Sequence, residues 1–406
     1  MDEWPLRTIG DLVTLQRGID LPSQDRNDGR VPIMGSFGVT GFHDEAACRG
    51  PGVTVGRSGA SIGTVSYIEG DYWPLNTCLY VRNFHGNNSR FAFYFLQTID
   101  LAGMNSGSAQ PSLNRNFVHP FPVRFPGRSE QDEIAELLSA LDDKIELNRR
   151  MNETLEAQAR ALFRDWFIDF GPVKAKMAGD TPYLAPDLWS LFPHCFDDGV
   201  PKGWRYANMK QLCATVTNGG TPKRDQPNFW EPKEIPWLTS GEVRRSFITN
   251  TDQAISAAGL SESSAKWVEP YSTVVALYGA TAGEVAFTGI KLTTNQAVCA
   301  LKPLPSYTTF NYLALSDAKN KLAGLARGSA QQNLSKGIVE NFEAVVPPEE
   351  TLMEHFFEIT APNFQKILAN ELESGTLAQT RDLLLPKLMS GEIRVGDMAS
   401  KELSAA

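Results

Sequence analysis

No run of 18 consecutive apolar residues occurs among the 406 of the chain, and a bilayer-spanning helix needs about 20. A transmembrane segment is therefore not expected. The opening Met1-Asp2-Glu3-Trp4-Pro5 lacks the basic start and apolar core of a secretory signal. Cysteine is sparse: Cys48, Cys78, Cys195, Cys213 and Cys299 are widely spaced and form no C-x-x-C pair. An odd number at such spacing points to reduced thiols and a cytoplasmic protein. The five histidines are equally dispersed, which leaves no zinc-ligand spacing. Catalytic signatures are missing too, with no G-x-S-x-G elbow, no H-E-x-x-H pair and no Asn-Pro-Pro-Phe/Tyr motif. Gly56-Arg57-Ser58-Gly59-Ala60-Ser61-Ile62-Gly63-Thr64 has the glycine density of a phosphate loop without its Gly-Lys-Ser/Thr ending. It reads as a turn at a sheet edge. Asp142-Asp143 falls on the solvent face of a helix and makes a poor acid–base pair.

What the chain does have is one stretch, Ser129 to Phe170, free of Gly and Pro until Gly171-Pro172. Roughly forty helical residues span about 60 Å, longer than a small domain is wide. Ser129 with Asp132 provides a capping-type start. Ile134, Leu138, Leu141 and Ile145, then Leu155, Ala159, Leu162 and Trp166, recur in steps of four and three. That is the spacing of a coiled-coil seam. Asn148 and Asn152 interrupt the seam at its middle, where polar residues set register at the expense of stability. Such a helix needs a partner.

The net charge of −9 is unevenly spread. Residues 1–128 are neutral, residues 129–170 carry −6, residues 171–199 carry −2, residues 200–347 carry +4 and residues 348–406 carry −5. Acid is concentrated in the helical stretches. Two readings are open: long solvated helices that are simply acidic, or a polyanion binder whose charge is sorted between helices and globular parts.

Taken in order, residues 1–128 have the pattern of a loop-rich domain. Trp4 to Leu15 has helical spacing. Val31–Met34, Gly52–Gly56, Thr64–Ile68 and Thr77–Val81 read as strands, and Arg90–Leu101 as a buried helix. Residues 171–199, rich in Pro, Gly and Asp, form a connector. Residues 200–347 then repeat the first domain. Glu3-Trp4 with Leu12 matches Gly203-Trp204 with Leu212, Val31-Pro32-Ile33 matches Ile235-Pro236-Trp237, and Gly59–Val65 matches Gly279–Val285. Asn76 lies near Asn295 in equivalent context, Gly107-Ser108-Ala109-Gln110 matches Gly328-Ser329-Ala330-Gln331, and Thr154-Leu155 matches Thr376-Leu377. The offset grows from 204 to 220 between Trp237 and Val274, so the second copy carries an elaborated loop there. Residues 348–392 form a second long helix, with a kink or break expected at Pro362 and a weak point at Gly375. It is the partner the first helix lacks, and it can return antiparallel. Residues 393–406 are expected to be a disordered tail.

From end to end this layout resembles the specificity subunit of type I restriction–modification enzymes. The helix endings carry the resemblance: Glu153-Thr154-Leu155-Glu156-Ala157-Gln158-Ala159-Arg160-Ala161-Leu162-Phe163-Arg164-Asp165-Trp166-Phe167-Ile168-Asp169-Phe170 and Leu383-Leu384-Leu385-Pro386-Lys387-Leu388-Met389-Ser390-Gly391-Glu392-Ile393. Asn218-Gly219-Gly220-Thr221-Pro222 is also family-like, whereas its counterpart Gln16-Arg17-Gly18-Ile19-Asp20 departs from the pattern. The resemblance implies an α+β chain: two similar target-recognition domains separated by two long antiparallel helices that form a coiled coil, with a pseudo-two-fold internal repeat. The domains would be residues 1–128 and 200–347, with helices at 129–170 and 348–392. Each domain would read one half of a bipartite, asymmetric site on double-stranded DNA, and the helices would set the separation of the halves. The chain itself would be non-catalytic and hold no cofactor or metal. Two methyltransferase subunits would bring S-adenosylmethionine and methylate adenine, and motor/nuclease subunits would bring ATP and magnesium.

Loop residues with paired donors and acceptors are the candidates for DNA contact. In the first copy these are Gln16, Arg17, Arg57, Asn76, Gln110 and Asn114; in the second, Lys223, Arg224, Tyr278, Asn295, Gln331 and Asn333. The alternative is that Gln110 and Gln331 cap loops and that Asn76 and Asn295 tie turns. Partner docking is assigned to Leu155, Leu162, Phe163, Trp166, Phe167, Leu377, Leu384 and Leu388 on the helices. Two other functions remain open: a coiled-coil scaffold without DNA binding, and a DNA reader of a modification system that has no motor.

Overall fold

A computed structural model describes residues 4–104, 112–325 and 333–397. The chain folds as two units, Met1–Ile145 with Gly375–Ala406, and Glu146–Ser374. Each contains part of the first long helix, Arg128–Phe163, and part of the second, Glu350–Ser390.

In the first unit an antiparallel sheet runs in the order Thr14–Arg17, Cys78–Asn83, Gly52–Gly56, Val65–Ile68. A second sheet joins Gly38–His43, Val31–Gly35 and Trp73–Pro74. Gly52–Gly56 is buried along its whole length, as expected of a strand covered on both faces. The helix Ser89–Gln97 starts at Asn88, whose side chain accepts from Phe91 N, and it buries Phe91, Ala92, Tyr94, Phe95 and Leu96.

The second unit repeats this plan. Cys213–Asn218, Val298–Pro303, Thr273–Ala276 and Val285–Thr288 stand in the same antiparallel order, and Phe247–Ile248 adds a parallel edge. Gln253–Ile255, Ile235–Leu238, Leu292–Thr294 and Trp267–Val268 form the second sheet. The expected insertion is where the offset grows: Phe247–Ile248, the helix Ala257–Ser261 and Trp267–Val268 all lie between Leu238 and Thr273. The glycine-dense segments are hairpin turns in both copies. Gly59 and Gly63 have φ of 76° and 82°, and Gly279 and Gly283 have 73° and 89°, the left-handed region that glycine enters without steric cost.

Several expectations are corrected. Trp4 to Leu15 is not one helix. Leu6–Thr8 pairs with Pro122–Arg124, a single turn Ile9–Leu12 follows under a Thr8–Asp11 capping box, and extended Val13 leads into a strand. A ladder to distant residues outweighs the local spacing. Ser129 is not the cap of the long helix, which starts at Arg128. Asp132 instead accepts from Asn88 Nδ2 at 2.6 Å and Arg128 Nε at 2.8 Å, and these bonds hold its carboxyl below the usual carboxylate range. The first helix passes into a π-helical turn, Arg164–Ile168, before Gly171. The second runs without a break through Pro362 and Gly375. The connector contains two short helices, Gly171–Ala178 and Pro186–Ser190, and buries Val173 and Phe192. Of the supposed tail, Ile393 and Val395 pack against the first unit's core, and residues 398–406 lie outside the described residues.

The helices run antiparallel in each unit. In the second, Asn363 Nδ2 donates to Leu155 O at 3.2 Å, and Asn152 Nδ2 to Glu371 Oε1 at 2.7 Å. In the first, Arg381 Nη1 donates to Asp142 Oδ1 at 2.7 Å. Asp142 also accepts from Tyr94 OH at 2.5 Å, and Asp143 accepts from Arg90 at 3.0 Å. The acidic pair is thus not a free solvent face; it fastens helix to domain. Burial, then the bond to Asp142, pushes the Tyr94 pKa up.

Candidate nucleic-acid interface

The same backbone frame builds the turn at one end of both main sheets. In the first copy Gly18 N donates to Cys78 O, Ile19 N to Pro74 O, Leu75 N to Met34 O and Cys78 N to Leu75 O, at 2.7–3.1 Å. In the second, Gly219 N donates to Val298 O, Gly220 N to Thr294 O, Asn295 N to Leu238 O and Val298 N to Asn295 O, at 2.9–3.4 Å. The paired chains come so close that only glycine fits. A Cβ on Gly18 would lie 2.1 Å from Leu75 O, and one on Gly219 would lie 2.0 Å from Thr294 O.

This frame refines one correspondence. Asn295 occupies the place of Leu75, and the counterpart of Asn76 is Gln296. Asn295 ties its turn, accepting from Ala297 N at 3.1 Å. Asn76 Nδ2 donates to Asp20 Oδ1, and at the equivalent place Thr221 Oγ1 donates to Gln296 Oε1. Neither Asp20, Thr221 nor Gln296 stands out in sequence, because the three offsets that align them differ.

Arg17, Arg57 and Asn114 line one open pocket of about 380 Å³ together with Ser112, Arg115 and Asn116. Among the described residues no ion pair engages these three arginines; Arg57 Nη1 donates to Asn76 O at 3.3 Å. Asn114 caps the helix Arg115–Val118 through Asn116 N, so its side chain is already engaged. Gln16 accepts from Arg82 at 3.2 Å. In the second copy Thr221 and Lys223 line a pocket of about 540 Å³ with Gln226, Asn228 and Ser264. Arg224 lies over Trp230, 3.7 Å from the ring centre, with Trp237 5.0 Å away. That stacking holds an exposed guanidinium in one orientation. Tyr278 is 41% exposed and bridges Asn333 through the backbone. The bridge Ser58–Ser112 is its equivalent in the first copy, so Asn333 matches Ser112 and Asn114 matches Ser335, which also caps a helix. Gln110 and Gln331 lie outside the described residues.

The helix residues assigned to partners are placed differently from expectation. Phe163, Trp166 and Phe167 are buried in the second unit's core against Phe310, Phe356, Phe192 and Trp204, with ring centres 5.0–6.5 Å apart. Leu155 and Leu162 pack partly against the same cluster. Leu388 is fully buried in the first unit with Trp4, Ile134 and Leu138, and Leu384 packs beside it. Aromatic and aliphatic surface already covered inside the fold is not available to another chain. Leu377 is half-buried. The large apolar side chains that do face outward on the helices are Leu147, Ile359, Leu372 and Leu383.

All five cysteines are free thiols. Among the described residues no helix is long and apolar enough to cross a membrane, and no cluster of His, Cys, Asp and Glu could hold a metal ion.

The chain matches the type I restriction modification DNA specificity domain twice, over residues 1–157 and 201–373. It is 29% identical over 331 residues to the type I restriction enzyme HindI specificity subunit of Haemophilus influenzae, covering 70% of this chain and 71% of that protein. It is 26% identical over 352 residues to the MjaIX specificity subunit of Methanocaldococcus jannaschii, covering 84% and 77%. The fold is that of the type I restriction–modification S subunit from M. genitalium, with a TM-score of 0.63 at 17% identity over 95% of this chain and 96% of that one. Two copies of one sheet frame, each with its own exposed polar turn, and two matches to one DNA-specificity domain lead to the same conclusion: the chain belongs to the type I restriction–modification DNA specificity family.

Proposed function

We propose that this chain reads a bipartite, asymmetric site on double-stranded DNA, one half per repeat, and holds two methyltransferase subunits that methylate adenine within it. The observation that carries the reading is the contrast between frame and surface. The backbone hydrogen bonds of the two turns match one for one, whereas the side chains they present do not. Equal scaffolds with unlike polar groups suit two unlike half-sites, because sequence is read by donors and acceptors at base edges. The arginines of the first-copy pocket, engaged by no ion pair among the described residues, and the stacked Arg224 of the second copy suit contacts with phosphates and guanine.

The chain serves as a non-catalytic reader. S-adenosylmethionine enters with the methyltransferase subunits, and ATP with magnesium enters with motor/nuclease subunits that join the assembly. The outward Leu147, Ile359 and Leu372 of the second unit and, separately, Leu383 of the first, each beside an acidic residue in sequence, are the positions we assign to methyltransferase docking. Free thiols suit a cytoplasmic setting. Sequencing of N6-methyladenine in cells with and without this chain tests the reading. A two-part motif should vanish when the chain is deleted and return when it is restored. A modification pattern indifferent to the chain would refute it.

A further inference from the structure

We infer that Asp20 with Asn76 and Thr221 with Gln296 are matched base-reading pairs of opposite polarity, the first accepting hydrogen bonds from DNA and the second donating them. The inference rests on the DNA-reading function proposed above and deepens it to four residues and a base chemistry.

Position comes first. The hydrogen bonds around Gly18 and Gly219 superpose the two turns residue by residue, so Asp20 falls on Thr221 and Asn76 on Gln296. In both copies the first residue of the pair follows the glycine by two positions, and the second lies on the facing turn. Both pairs are linked side chain to side chain. Asp20 and Gln296 are exposed, and Asn76 and Thr221 are half-buried. Each pair is thus a half-buried anchor holding an exposed polar tip, an arrangement that limits rotamer loss on binding.

Chemistry comes second. A carboxylate can only accept, so Asn76 uses an amide N–H on Asp20. The groups left over are the second Asp20 oxygen and the Asn76 oxygen, both acceptors, and one amide N–H. The pair carries a negative charge, which the phosphate backbone repels, so its favourable place is against a base edge that donates. In the major groove those are the exocyclic amino groups of cytosine and adenine. The second pair is neutral. Thr221 spends its proton on Gln296 Oε1, and both N–H groups of the Gln296 amide are left to donate. Its partners are the acceptors of guanine or the O4 of thymine.

The test uses the complete chain expressed with its methyltransferase, as wild type, D20N and Q296E, and reads modified adenines by sequencing. Wild type must give a chain-dependent motif; if it does not, the function proposed above fails, not this assignment. D20N should change the preferred base at one position in one half-site, and Q296E at one position in the other. The preference should shift on the order of tenfold or more, with the opposite half-site unchanged in each case. An unaltered motif in both variants overturns the inference. So does a uniform loss of methylation without any change of base, which would make the pairs structural ties. Thermal unfolding of the purified complexes accompanies the sequencing. If D20N does not fold, the exposed Gln296 carries the test alone, and failure of both variants to fold also overturns the inference.

Discussion

Asn148 lies against Asn370, its own counterpart in the repeat. Its Nδ2 is 3.5 Å from Asn370 O, and the two residues are separated by the same 222 positions that relate Thr154-Leu155 to Thr376-Leu377. The surrounding bonds obey the same relation. Asn148 Nδ2 donates to Ser374 Oγ at 3.3 Å, and Asn370 Nδ2 donates to Asn152 Oδ1 at 2.8 Å, with Asn152 the counterpart of Ser374. One contact is therefore made twice with its roles exchanged, as at a two-fold axis. A one-turn slip of either helix would bury these amides against apolar neighbours, so the polar pair fixes register where leucines would tolerate several.

Asn370→Ala should lower the stability of the second unit by about 1–3 kcal/mol, the cost of stranding the buried Asn152 acceptor. Urea unfolding followed by circular dichroism measures it. A loss below about 0.5 kcal/mol would mean that the amide network does not hold the helix pair.

Leu388 and Leu383 lie five residues apart on one helix and should behave oppositely. Leu388 is fully buried and Leu383 is 68% exposed. Leu388→Ala should cost about 2–5 kcal/mol through lost burial and a cavity. Leu383→Ala should leave the melting temperature nearly unchanged while weakening retention of the methyltransferase in a pull-down.

Gly18→Ala and Gly219→Ala each force a Cβ into a carbonyl oxygen, and the facing strand must move. Each should destabilise its own unit by about 1–3 kcal/mol. Footprinting should show protection lost over one half-site only, a different half for each variant.

Arg57 and Arg115 share a pocket but should differ in effect. Arg57→Ala should weaken DNA binding by about 1–3 kcal/mol and relax the motif at one base. Arg115→Ala should weaken binding to all sequences alike and reduce the salt slope by about 1. Titrations at several salt concentrations on specific and scrambled duplexes separate the two.

Burial pushes the Cys78, Cys213 and Cys299 thiols from 9.0 up to about 12. At pH 8 iodoacetamide should leave all three unmodified in the folded chain and label them after unfolding. Above pH 9 the unfolded thiols ionise while the folded ones keep their protons, so stability should fall as pH climbs from about 9 toward 12. A pH series of urea midpoints reads the slope.

The repeat was legible because it is written in turn glycines and strand patterns, which depend on local conformation. Gly59 and Gly63 recur as Gly279 and Gly283, and the structure gives all four positive φ. The long helices were legible for the same reason, through uninterrupted helical spacing. The turn pairs were not. Asp20 meets Asn76 only because strands far apart in sequence bring them together, and the second copy uses Thr221 and Gln296, which share no residue type with them. Asn76 and Asn295, alike in type, therefore stand one place apart in the shared frame. The helix leucines and aromatics misled in another way. Periodicity shows that Trp166, Phe167 and Leu388 face something apolar, but whether that is another protein or the chain's own domain depends on packing.

By itself, then, the sequence determined the two copies, the long helices, the free thiols and the family, all properties of residue type and short-range spacing. Tertiary structure alone decided which polar groups stand together at the turns, which apolar faces are already covered and where the helices register. Many of those depend on contacts between residues more than 200 positions apart, and such contacts leave no pattern along the chain.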